Sequence, residues 1–293
     1  MKKLTTGERV FQIFNYIFLT LLAICCIYPF LYTLTISLST ATEAAKSGFH
    51  IYPKEISFEA YKVVFSNKSL GIAYLNTIGR TVIGTLFALV VTTLYAYALS
   101  RRQMPYKKFF TMYILFTMLF SGGTIPTYLI IKNLGLLDNR LVYILPSAIT
   151  AYNVIIARSF FISIPESLHE SAVLDGASEF KIFSKIYIPL AKPVVMTLLL
   201  WIAVGHWNAW YDAMIYISDN NKIVVQLLLQ RMVQQAQATV INTGAEGTLG
   251  GSTVMPITIR SATIMAAILP ILAVYPFIQK YFMSGIMLGA VKG

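Results

Sequence analysis

The segment Ile164-Pro-Glu-Ser-Leu-His-Glu170-Ser-Ala172-Val-Leu-Asp175-Gly176-Ala177-Ser178, running on through Glu179 to Ile186-Tyr-Ile-Pro189-Leu190, decides how this chain is read. Pro165 suits a helix start, where its missing N–H leaves no bond unmade, and Glu166, Ser167 and Glu170 suit the first turn. Gly176 then interrupts the helix, which costs about 1 kcal/mol relative to Ala. A glycine at such a place lets the backbone turn or lets a partner approach closely. A second helical run is expected over Glu179–Tyr187, and Pro189 and Pro193 introduce an apolar stretch. Residues 164–192 therefore form a helix–Gly–helix device between two apolar runs. Water gives a chain no reason to build it, whereas a soluble partner does.

The rest of the chain explains why the device sits between apolar runs. Of 293 residues 57% are hydrophobic and 12% charged, and mean hydropathy is +0.68. Soluble domains carry about a quarter charged residues. These values exclude a disordered chain and argue against a soluble enzyme. The net charge of +11 does not mark a nucleic-acid partner, because the basic residues lie in short clusters rather than on a polar face. A bilayer core needs roughly 20 apolar residues in a helix. Six stretches qualify: Val10–Leu38, Leu75–Leu99, Phe109–Ile131, Val142–Ile162, Val194–Ile217 and Ile259–Tyr281. The first is too long for a signal peptide and is read as a retained helix.

Charge sets the orientation. Lys2, Lys3 and Arg9, then Arg101, Arg102, Lys107 and Lys108, then Lys181, Lys185 and Lys192, and finally Lys280 and Lys292 fall on one side if the helices alternate. Short basic loops stay cytoplasmic, so both termini are expected there. Lys46, Lys54, Lys62 and Lys68 lie opposite, in a long loop diluted by Glu43, Glu55 and Glu59. That loop has room for a short helix near Phe58–Phe65. Ser218–Pro256 splits into a Gln-rich helical part, Val224–Val240, and a Gly/Thr/Ser-rich loop, Asn242–Ser252. Cys25 and Cys26 are adjacent, too close for a disulfide or a metal site, and are read as small apolar fillers.

The spacing Glu170-Ser171-Ala172, Gly176, Ile186 and Pro189 resembles the signature loop of ABC importer permeases. Ser171 stands where the middle Ala is usual, and Ile188 where Leu is usual. Asn76-Thr77, Ala96–Arg101, Leu134-Gly135-Leu136, Trp207-Asn208 and the terminal Gly289–Gly293 resemble the carbohydrate-uptake, maltose-permease-like branch. Gly205-His206-Trp207-Asn208 with Asp212 is closest to permeases for complex or acidic oligosaccharides. The resemblance implies an all-α integral membrane protein with six transmembrane helices in the type I ABC importer permease fold. Residues 1–71 would supply the first helix and first outer loop, and 72–293 the core with its coupling loop and C-terminal tail. It further implies a bacterial cytoplasmic-membrane subunit paired with a longer homologous permease as a heterodimer. Two ATPase subunits would bind ATP and Mg, and an extracytoplasmic binding protein would deliver solute. No cofactor or metal is expected in this chain. Glu170, Ala172, Asp175, Gly176, Ala177, Ser178 and Pro189 would form the coupling element that docks on the ATPase, and Lys292 would reach toward it.

Residue chemistry adds a candidate path. Trp201, Gly205, Asn208 and Asp212 fall in one stripe at 100° per residue. An acid and an amide in a membrane helix are costly unless they face protein or water, so the stripe lines a pathway or a structural hydrogen-bond network. Arg80 and Arg260, a turn or two inside the outer ends of their helices, read first as snorkelling to headgroups. The sharper reading is a cationic vestibule for acidic sugars. His206 reads as a satisfied buried histidine. A membrane enzyme would need a constellation that is absent: there is no His-Glu-x-x-His, Gly-x-Ser-x-Gly or Gly-x4-Gly-Lys-Ser/Thr sequence. An ion-coupled carrier would need several deep charges, and Asp212 stands nearly alone. A nearer rival is the same transporter class with a peptide or amino-acid cargo.

Overall fold

The computed structural model describes residues 5–46, 48–232, 234 and 256–290. Among them the regular structure is helical, apart from an isolated antiparallel bridge between Ser39 and Ile56. Lys2, Lys3, the end of the Gln-rich segment, the Asn242–Ser252 loop and Lys292 lie outside the described residues.

Helix α1, Thr6–Ser37, starts with a capping box: Glu8 N–H donates to Thr5 Oγ1, and Thr5 N–H donates to Glu8 Oε2. Its side chains from Val10 to Leu34 are largely exposed, which is stable only where lipid or another apolar surface is the solvent. The short helices α2, Ala41–Ala44, and α3, Glu59–Ser66, occupy the loop that follows; the latter matches the expected helix near Phe58–Phe65. Helix α4, Lys68–Ser100, buries a face of small and hydroxyl residues that includes Gly84, Thr85, Ala88, Thr92 and Ala96. Small residues let helix backbones approach closely without a hydrophobic driving force.

Among the described residues three helices are long and apolar enough to cross a membrane: α1, α4 and Pro256–Ala273 at the start of the last helix. The other expected spans are interrupted. Phe109–Ile131 is two helices, α5 (Lys107–Leu119) and α6 (Thr124–Asn133), bent by 116°. The break falls at Ser121-Gly122-Gly123, where Gly123 adopts φ 82°, a conformation costly for other residues. Val142–Ile162 is helical only in α7, Ala151–Ser163; Arg140–Tyr143 forms a separate 3₁₀ turn capped by Asn139, and Pro146 lies between them. The segment 164–192 contains α8 (Glu166–Leu174), α9 (Glu179–Ile182), a π-helical turn over Phe183–Tyr187, and α10 (Ile188–Leu190). Pro189 offers no N–H to the preceding turn, and a widened turn is one way to absorb that loss. Helix α11, Lys192–Asn208, leaves this segment at 85°. The expected span Val194–Ile217 ends early, because Ala209 is extended and α12, Tyr211–Tyr216, starts anew. A helical stretch at 225–232, α13, and α14, Pro256–Ala290, complete the described chain.

The chain divides into two compact units, 1–68 with 229–270, and 69–228 with 271–293. In the second, Tyr97, Phe161, Phe183 and Tyr187 form an aromatic cluster, with Tyr97 and Tyr187 edge-to-face at 4.9 Å. Such a geometry places the positive ring edge on the negative face. The cluster fixes the end of α4 against the segment 164–192.

Candidate functional site

The turn at Gly176 is built by local chemistry. Helix α8 ends at Leu174 with Asp175 as its cap. Gly176 N–H donates to Val173 O at 3.0 Å and Ala177 N–H to Ala172 O at 2.9 Å, with Gly176 at φ 74°. That pair of bonds is the Schellman motif, which satisfies carbonyls a helix end would otherwise orphan. Ser178 then caps α9 by accepting from Lys181 N–H. Ala172 is buried beneath the turn, whereas Glu170, Asp175 and Pro189 are exposed. Among the described residues nothing lies within 4 Å of the position a Cβ on Gly176 would take. Beside it Leu174 is 87% and Phe180 70% exposed. These two apolar side chains were not singled out from the sequence, although a bulky apolar residue flanking a turn glycine was a visible signal.

Two polar braces hold this elbow to α4. Arg101 donates to Glu166 Oε1 at 2.5 Å and to the Tyr187 hydroxyl at 2.6 Å, and its guanidinium also lies over the rings of Tyr97 and Tyr187. The Tyr97 hydroxyl donates to Glu179 Oε2 at 2.5 Å, and His169 Nε2 lies 3.0 Å from Glu179 Oε1. Burial alone would raise the Glu179 carboxyl, but the hydrogen bonds from Tyr97 and His169 outweigh it and hold the group below its ordinary value. The elbow is thus tied to a long helix rather than hanging free.

About 30 Å back along α4, at 1.5 Å per residue, Arg80 lies in the wall of a cavity of 440 Å³. Arg80 does not snorkel. Its side chain is 3% exposed, and its two terminal nitrogens pair with both carboxylate oxygens of Asp212, whose side chain is 25% exposed. Arg80 Nη1 also donates to Ala209 O at 3.1 Å, and the guanidinium lies 4.6 Å from the centroid of the Tyr143 ring. A buried arginine cannot shed its proton, so the carboxylate is what makes its burial tolerable. Because Asp212 compensates it, Arg80 does not create a cationic vestibule. Trp201, stacked on Tyr152 at 6.0 Å, lines the same cavity with Thr92, Asn153, Gly205 and His206.

The proposed stripe is therefore corrected in part. Trp201, Gly205, Asp212 and Arg80 meet at one cavity, but Asp212 belongs to α12 and not to a continuous fifth helix. Asn208 is exposed at the end of α11 and does not line the cavity. Arg260 is exposed on α14 and belongs to the other compact unit. His206 is buried, as read from sequence, with its ring 2.7 Å from where a Cβ on Gly84 would sit. Tyr152 and Asn153, which line the cavity, and Tyr143, whose ring lies against Arg80, were missed, because nothing local in their sequence links them to residues of α4 and α11.

A polar, ion-paired cavity walled by apolar helices, on the same long helix that anchors an exposed helical elbow, defines a membrane permease. Residues 109–288 match the family described as binding-protein-dependent transport system inner membrane component, and the chain belongs to that family. It is a multi-pass inner-membrane protein with the type I ABC permease fold. It is 40% identical over 98% of its length, and 99% of the relative's, to the polygalacturonan/rhamnogalacturonan transport system permease protein YtcP of Bacillus subtilis (strain 168). It is 41% identical over 99% of its length, and 97% of the relative's, to Protein LplC of the same organism. The crystal structure of a bacterial ABC transporter that imports the acidic polysaccharide alginate contains a chain that superposes with a TM-score of 0.86 at 33% identity, covering 96% of this chain and 100% of that one.

Proposed function

We propose that this chain is one permease subunit of an ATP-driven importer of oligosaccharides, acidic ones included. The observation that carries the reading is the elbow at Gly176. It is tied to the end of α4 by Tyr97 and by Arg101 just beyond it, and it presents Leu174 and Phe180 beside a glycine with open space above it among the described residues. An apolar knob left largely exposed by its own chain fits the groove of a soluble partner, here an ATPase subunit that binds ATP and Mg. Glu170 and Asp175 would add charge at the rim of that contact, and Pro189 would set the exit angle of the segment. Two such ATPases, a homologous permease partner and an extracytoplasmic binding protein would complete the transporter. The elbow and both termini then face the cytoplasm, as the basic loops suggest. ATP-driven closure of the motors moves the elbows, and the helices alternate access around the Arg80–Asp212 cavity. The catalytic chemistry would reside in the ATPase partner.

Acidic oligosaccharides are favoured as cargo by the kinship with pectin- and alginate-handling permeases. The test is reconstitution of the intact complex in proteoliposomes with its binding protein. Oligogalacturonates should stimulate ATP hydrolysis and accumulate inside, whereas peptides and amino acids should do neither. Stimulation by peptides alone would refute the assignment of cargo, and failure of purified ATPase to bind the permease would refute the assignment of mechanism.

A further inference from the structure

The Arg80–Asp212 pair is built asymmetrically. Arg80 sits on the continuous helix α4, with the Tyr143 ring against its guanidinium and the Ala209 carbonyl on Nη1. Neither support depends on the rotamer of the Asp212 side chain. Asp212 is carried by the six-residue helix α12, just after the break at Ala209-Trp210, and is much the more exposed of the two at the cavity. It occupies only the end of the guanidinium: Nη1 and Nη2 are taken, while Nε is buried with no partner among the described residues. An unpaired buried donor carries a real cost, so the side edge formed by Nε and Nη2 is an unmet demand for a second carboxylate. Thr92, also on α4 and lining the cavity, has a buried hydroxyl likewise without a partner among the described residues. The stacked pair Tyr152–Trp201, which also lines the cavity, offers an apolar ring face. The space, 440 Å³, lies within the range of small-molecule sites, about 300–1,000 Å³.

We propose that the Arg80–Asp212 pair is an exchangeable counter-ion site, in which the carboxylate of an acidic sugar takes the Nε–Nη2 edge of Arg80 and displaces Asp212 as the chain passes. This rests on the oligosaccharide reading above and deepens it, because it names uronate residues as the sugars recognised and Arg80 as the group that recognises them. Asp212 has two effects. At rest it neutralises Arg80, so the cavity is not a trap for small anions. During transport it competes with the bound carboxylate, so the sugar is released rather than retained. A neutral sugar leaves the pair closed and gains only the aromatic wall and Thr92.

The experiment uses the intact complex with its own binding protein at saturation. It compares a galacturonate trimer with its fully methyl-esterified counterpart, reading the concentration that half-stimulates ATP hydrolysis and the transport rate. The preference of the binding protein cancels when each variant's acid-to-ester ratio is divided by that of the wild type. Asp212→Asn should raise the preference for the acid by about tenfold and slow its release. Arg80→Gln should remove the preference. The exchanged pair, Arg80→Asp with Asp212→Arg, keeps the ion pair but places the fixed charge with the wrong sign, so it should transport the ester and lose the preference for acid. If the exchanged pair restores the wild-type ratio, or if no variant changes it, the pair is a structural brace and the proposal is overturned. Should Asp212→Asn fail to insert, the exchanged pair still decides. A wild-type complex that responds to neither sugar would instead refute the oligosaccharide reading itself, and the exchange site with it.

Discussion

Replacement of Gly176 separates what the elbow does for its own fold from what it does for a partner. At φ 74° any L-residue meets the left-handed penalty, about 1–2 kcal/mol, and Asn meets less of it than Ala. No steric cost is added at the Cβ, because nothing among the described residues lies within 4 Å of it. Gly176→Ala and Gly176→Leu should therefore lower the stability of the isolated permease by the same small amount, read as thermal unfolding in detergent. Against a packed partner they differ. A side chain forced into a filled groove costs about 1–3 kcal/mol, which corresponds to roughly 5- to 150-fold weaker binding. ATPase affinity and sugar-stimulated hydrolysis should thus fall far more for Leu than for Ala, with membrane insertion intact in both. Equal ATPase binding by the two variants would refute a partner at this turn. A much lower melting point for Leu than for Ala would show that the turn packs against its own chain.

Other outcomes follow from the same geometry. Gly84→Ala places a Cβ 2.7 Å from the His206 ring and should destabilise the permease by about 1–3 kcal/mol, with most of the loss recovered in the Gly84→Ala/His206→Ala double variant; thermal unfolding of the four proteins measures both terms. Arg101→Gln removes the donor shared by Glu166 and Tyr187 and should lower hydrogen-exchange protection over residues 166–187, and adding Glu166→Gln should cost less than it does alone. The Glu179 carboxyl is held below its ordinary value, so its bonds to Tyr97 and His169 stabilise the elbow fully above about pH 4.5 and are lost as pH falls through the depressed folded value. Exchange protection over 179–187, followed from pH 6 toward pH 3, should decline only at the acid end in the wild type and be low throughout in Glu179→Gln.

Much of the elbow is legible in the amino-acid sequence, and for a local reason. Pro165 opens a helix, Gly176 closes one, Ser178 caps the next, and each acts on backbone groups within a few residues of itself. The long helices α1 and α4 are legible for the same reason: an uninterrupted apolar run of bilayer length has few alternatives to a helix. The interrupted spans are not. Hydropathy sums side chains whether or not the backbone stays helical, so Phe109–Ile131 reads as one span although Gly122-Gly123 divides it. The same blindness joins Asn208 to Asp212 across the break at Ala209.

The sequence alone determined that this is a multi-span membrane protein, and it placed a glycine elbow between the fourth and fifth apolar runs, because those properties follow from composition and short-range backbone chemistry. Only the tertiary structure decided that Arg80 is buried and not snorkelling, since its partner Asp212 lies 132 residues away and no local pattern links two such positions. The same holds for Tyr97 with Glu179 and for Tyr152 with Trp201. A charge in an apolar helix shows that some compensation must exist, but which residue supplies it depends on how the helices pack.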